Sequence, residues 1–128
     1  MLQNTTIVLG VGGGPLTWVA VDVLRALQRA GARVRVILST ETETVVPALT
    51  FQTLTSGEVL TATALYGAML GGHFHPLHAF IEPADALVVV PATPPLLAKA
   101  ASACADEALI RAMLLHRGPT VLALPGAA

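Results

Sequence analysis

Between Gly10 and Trp18 the sequence reads GVGGGPLTW, directly after the apolar run TTIVL. A glycine run set between a strand and a helix turns without a Cβ clash and lets backbone N–H groups approach a phosphate at the helix start. Two familiar phosphate loops do not fit the spacing. A Walker loop needs a Lys before its Ser or Thr, and no Lys precedes Thr17. A dinucleotide fingerprint, G-x-G-x-x-G, is met at Gly10 and Gly12 but finds Pro15 where the third glycine belongs. The acidic residue that would bind a ribose after the next strand is replaced by Ser39 and Thr40. What remains is a mononucleotide loop, with a ligand-free βα turn as the competing reading.

Other residues have types suited to chemistry. His73, His75 and His78 follow the spacing H-x-H-x-x-H, and an imidazole that titrates near neutrality suits proton transfer. The same spacing raises a metal reading, but only Glu82 is nearby to complete or orient such a set, and no metal is assigned. Cys104, alone between two alanines, is expected to be a small buried residue and not a reactive thiol. Asp106 and Glu107 are neighbours in sequence, and adjacent helical side chains do not face each other as an acid–base pair would. Trp18 reads equally as core packing or as an interface anchor.

These groups need a scaffold, and the apolar pattern supplies one. Thr5–Val11, Arg33–Leu38, Ala86–Val90 and Thr120–Leu124 read as strands, nearly all apolar as in a sheet buried on both faces. Leu16, Val19, Ala20, Val23, Leu24 and Leu27 recur at helical spacing, and Gly31 follows as a helix stop. Ser39 or Thr40 caps the next segment, and a helix enters near Pro47. Leu60–Leu70 is expected to form a short helix and GGHFHPLH a loop, while Leu96–Ala103 and Glu107–Leu115 form two helical pieces. Alternating strands and helices predict a three-layer α/β fold, Rossmann-like in the flavodoxin manner, with a parallel sheet between helices. Ligands of such sheets bind beyond the strands' carboxyl ends, here at Gly12 to Gly14, Ser39 and Thr40, Pro91 to Thr93, and Pro125 onward.

Composition narrows the classes of partner. The 128 residues suit one domain, 1–128, with one core. Only 12% are charged and the net charge is −1, so there is no basic field for nucleic acid or anionic lipid. So thin a charged surface predicts cover by other subunits. No stretch of eighteen apolar residues and no basic leader are found, and a single cysteine excludes an internal disulfide. A cytoplasmic protein is expected.

Five stretches in collinear order, IVLGVGGG, RALQRAGARVRVILST, ALTFQTLTSG, ADALVVVPAT and LAKAASACADEAL, resemble the homo-oligomeric flavin-containing cysteine decarboxylases. The pattern is most similar to the phosphopantothenoylcysteine decarboxylases, one part of the bifunctional coenzyme A biosynthesis flavoproteins. The resemblance implies FMN, its phosphate end held by Gly12, Gly13, Gly14, Ser39 and Thr40, with Gly12 standing where the family often has Ser. It implies further that Pro91, Ala92 and Thr93 run along the flavin, and that Ala105 and Asp106 lie near the isoalloxazine, with Glu107 in place of a second Asp. Thr50 and Phe51 match a pair that a neighbouring subunit contributes around the ring. His78 matches the family's acid–base histidine with one residue fewer before Ala84, and His75 competes for the role.

Two departures stand out in the comparison of motifs. Pro94 and Pro95 remove two backbone donors after Thr93. PGAA, Pro125 to Ala128, stands where the family has P-x-M-N-x-x-M-W, so the domain is read as shorter than the family's at its C-terminus. Three functions follow: an FMN-dependent decarboxylase of a small cysteinyl substrate, an FMN protein that acts as a non-decarboxylating oxidoreductase or carrier, or a non-catalytic mononucleotide-binding scaffold. The resemblance also implies a homotrimer or a multiple of trimers.

Overall fold

In a computed structural model, which describes residues 1–124, strand β1 (Thr6–Val11) leads through the glycines into α1 (Thr17–Arg29) and then β2 (Arg33–Leu38). Two short helices, α2 (Thr40–Glu43) and α3 (Ala48–Leu54), precede the two-residue strand β3 (Val59–Leu60). The chain then forms a hairpin, β4 (Gly67–Leu70) and β5 (His73–Pro76), before α4 (Leu77–Ile81) and β6 (Ala86–Val89). Helices α5 (Pro94–Ala101) and α6 (Ala108–Leu115) lead to β7 (Thr120–Leu122).

The five strands of the main sheet run parallel in the order β3-β2-β1-β6-β7. Side chains alternate across β1, so Ile7, Leu9 and Val11 join one apolar cluster while Val8 joins the other. The first cluster takes Ala20 and Leu24 from α1 and Phe51 from α3; the second takes Phe80 from α4, Leu96 from α5, and Leu109 and Ile110 from α6. Helices on both faces make the three layers that an apolar parallel sheet requires.

Two sequence expectations fail in the same region. Leu60–Leu70 is not a helix, and His73–Pro76 is a strand, not a loop. The Gly71–Gly72 pair has φ of +59° and +82°, the geometry of a tight hairpin turn, and it directs the chain back along β4. His78 accordingly sits on α4 and His75 on β5. Cys104 is exposed, because Ala103 turns with a φ of +56° and carries it out of the helical register.

Candidate functional site at the carboxyl rim of the sheet

The chain steps from β1 outward to β3, then returns to the other side of β1 to lay down β6. Loops that leave β1 and β6 therefore diverge, and the crevice between them is where such sheets take ligands. Gly12–Gly14 and Pro91–Thr93 form its two walls. A Cβ on Gly12 would run into the Pro91 carbonyl oxygen, so only glycine lets the two loops approach this closely. Gly13 and Gly14 hold φ of +94° and +80°, open only to glycine at little cost. Thr17 ties the loop to the start of α1: its hydroxyl and its N–H both donate to Gly14 O, at 2.6 and 3.2 Å. The first turn of this thirteen-residue helix carries no acidic side chain, which leaves its positive end available to an anion.

Thr93 carries the clearest sign of a missing partner. It is 8% exposed, it is the residue before α5, and its Oγ1 is buried with no hydrogen-bond partner among the described residues. Its methyl Cγ2 would lie 3.5 Å from a Cβ on Gly14, so the residue packs against the glycine loop. A buried hydroxyl left unpaired costs about 1–3 kcal/mol, so its retention calls for a partner such as a water or a bound ligand. Pro94 and Pro95 open α5, so its first turn offers fewer N–H groups than usual, as the sequence indicates.

Ser39 and Thr40 are placed at the rim, but their hydrogens are committed. Thr42 donates its hydroxyl hydrogen to Val11 O at 2.7 Å, so in the 2.9 Å contact between Ser39 Oγ and Thr42 Oγ1 it is Ser39 that donates. Ser39 N–H goes to Val11 O at 3.0 Å, and its Oγ accepts from Thr42 N–H at 3.2 Å. Thr40 donates both its N–H and its hydroxyl to the Glu107 carboxylate, at 3.4 and 3.3 Å.

Glu107 is only 7% exposed, at the start of α6. Burial holds its carboxyl above the usual carboxylate range, against the opposing effects of the Thr40 N–H, Lys99 and the Thr40 hydroxyl. With Gly12, Ser39, Glu41, Pro95, Leu96 and Lys99 it lines a cleft of ≈ 30 Å³. Lys99 pairs with Asp106, Nζ to Oδ2 at 3.0 Å, and this hydrogen bond raises its already high pKa. Lys99 had no place in the sequence reading of the site, because no basic residue lies in the rim loops. It reaches the cleft from the middle of α5, and only its match to Asp106 seven residues on could have signalled it.

The remaining sequence-derived residues lie elsewhere in the chain. Phe51 is fully buried in the cluster under α1, so its ring serves this chain's own core; Thr50 beside it is half-buried. Asp106 is exposed in its ion pair, and Ala105 O accepts from Arg111 Nε at 3.0 Å. Ala105 also lines a second cleft, ≈ 310 Å³, with Tyr66, Leu77, His78, Arg111 and Leu114. His78 faces this cleft and a third one of ≈ 430 Å³ beside Glu82, His116 and Arg117, and His75 Nε2 lies 3.2 Å from Leu70 O. Neither histidine lines the glycine cleft. Among the described residues, no three His, Cys, Asp or Glu side chains gather in a metal-holding group, and no helix is long and apolar enough to cross a membrane.

A parallel sheet with helices on both faces and a glycine loop at its switch point defines a three-layer α/β protein of the flavodoxin-like kind. The chain belongs to the Flavoprotein family, whose model matches residues 1–128. It is similar to the coenzyme A biosynthesis bifunctional protein CoaBC of Mycobacterium tuberculosis, 37% identical over 117 residues. That match takes in 91% of this chain and 27% of the relative. The Bacillus subtilis CoaBC is 32% identical over 124 residues, 96% of this chain and 30% of that protein. The chain thus spans less than a third of these relatives' length. Among solved structures, the FMN-dependent cysteine decarboxylase SpaF superposes with a TM-score of 0.78 at 28% identity, over 97% of this chain and 70% of that one.

Proposed function

We propose that this chain binds FMN at the glycine rim and acts as a decarboxylase of a small cysteinyl compound, in the manner of phosphopantothenoylcysteine decarboxylase. The observation that carries the FMN reading is the orphan hydroxyl of Thr93, a residue that packs against Gly14 on a loop whose Pro91 carbonyl sits where a Cβ of residue 12 would be. The residues present fit the group. Gly13 and Gly14 would turn their backbone toward the phosphate at the start of α1, Thr93 would donate from the opposite wall, and Ser39 would shape the rim through its bonds to Val11 and Thr42.

Bound FMN would supply two-electron oxidation of the substrate thiol to a thioaldehyde, the electron sink from which carbon dioxide leaves. The chain's own residues would bind the substrate and move protons, with His78 the first candidate and His75 the second. Neither lines the glycine cleft of its own chain, so a second copy would have to bring one of them to it. This favours a homo-oligomer, proposed as a trimer or a multiple of one.

The same absence of a histidine from the cleft supports a second reading, an FMN carrier or oxidoreductase that decarboxylates nothing. Incubating the FMN-loaded protein with 4′-phosphopantothenoylcysteine and following the substrate by mass separates the two. Loss of carbon dioxide, abolished by His78→Asn or His75→Asn, is the expected result. A full complement of flavin with no product at high protein concentration would overturn the decarboxylase and leave the carrier.

A further inference from the structure

Glu107 is a carboxylate placed where an anion is expected. It is 7% exposed, it shares a cleft with Gly12 and Ser39, and its two oxygens take both hydrogens that Thr40 offers. A phosphate bound to the glycine loop and reaching Thr40 would compete with that carboxylate for the same two donors. It would also bring two negative charges against a third that water does little to screen. We propose that Glu107 reads the charge of the ligand: it takes up a proton when a phosphorylated flavin binds, and so makes the affinity for FMN, but not for riboflavin, depend on pH. This inference rests on the FMN reading above.

The charged groups around Glu107 come from three elements. Lys99 on α5 favours the ionised form, but its Nζ is already bonded to both Asp106 oxygens, at 3.0 and 3.3 Å. Asp106, in the turn before α6, opposes ionisation, and Glu41 of α2 is a further carboxylate lining the cleft. Burial already lifts the Glu107 carboxyl above its ordinary 4.5, and a neighbouring phosphate lifts it further. Between the free and the bound pKa, binding consumes a proton. Affinity therefore falls as pH rises through that window and levels off above it.

Flavin fluorescence gives the dissociation constants of FMN and riboflavin for the wild type and Glu107→Gln. The range runs from about pH 5.5, near the second ionisation of a phosphate monoester, to about pH 8.5. The phosphate's own titration is common to both proteins, so the ratio of their constants isolates Glu107. For FMN the wild-type constant should rise about tenfold or more relative to the variant across this range, while the riboflavin ratio stays flat. Calorimetry of the wild type alone, in buffers of different ionisation heat, should show more proton uptake with FMN than with riboflavin. Tight FMN binding with a pH-independent ratio and equal proton uptake overturns the inference and leaves the FMN reading standing. Failure of both proteins to bind either flavin overturns both.

Discussion

Thr93 and Glu107 show how a site reveals itself one side chain at a time. Thr93 has a buried hydroxyl with nothing to bond, so Thr93→Val should stabilise the flavin-free protein by about 1 kcal/mol in urea unfolding. The same change should weaken FMN binding about tenfold, since a hydrogen bond to a charged group is worth about 1.5–3 kcal/mol. A residue with a purely structural role would not move the two measurements in opposite directions. Gly12→Ser, the residue often found there in the resembling family, should destabilise by about 1–3 kcal/mol, because its Cβ meets the Pro91 carbonyl and the loops must part. Glu107 makes a statement about pH as well. Its folded pKa lies above its unfolded value, so the stability linked to it is complete below the ordinary carboxylate pKa and is lost as pH rises through the folded one. Wild type should therefore lose stability relative to Glu107→Gln between acid and neutral pH; parallel unfolding curves at both would contradict the burial of this carboxylate.

Elements were legible where the pattern was strong and local. Arg33–Leu38 alternates and ends in a capping Ser39, and it is found as a strand over those residues with Ser39 accepting from Thr42 N–H. The β4–β5 hairpin was missed because Leu60–Leu70 is alanine-rich and poor in β-branched residues, while the informative signal was two glycines spaced for a hairpin turn. The fold now makes those glycines testable: Gly71→Asn should be tolerated, and Gly71→Val should cost about 1–2 kcal/mol with protection lost first in the hairpin amides. At the site, the loops that form the rim could be read from strand ends, because topology alone sends them there. The bonds from Thr40 to Glu107 could not, since 67 residues separate the partners and only tertiary packing joins them. Nor could the sequence show that the Phe51 ring, matched to a pair that packs around a neighbouring subunit's flavin, lies fully buried in its own chain.

At the scale of the whole molecule, the apolar surface is the unfinished part. Trp18 near the glycine loop, Tyr66, Met69 and Phe74 around the hairpin, and Val121 on the edge strand are each more than half exposed. Exposed apolar side chains in this number are what the proposed homo-oligomer would cover, and that assembly would also have to bring a histidine to the glycine cleft. Sedimentation should show a mass that is a multiple of three chains, reduced in Trp18→Glu; a stable monomer carrying flavin would contradict the assembly. The proposed function turns on FMN at the rim, and one titration tests it most directly. Added FMN should bind the purified protein at one per chain with a perturbed flavin absorption band, more weakly in Thr93→Val. A folded protein that stays colourless and takes up no FMN at any concentration reached would contradict the account.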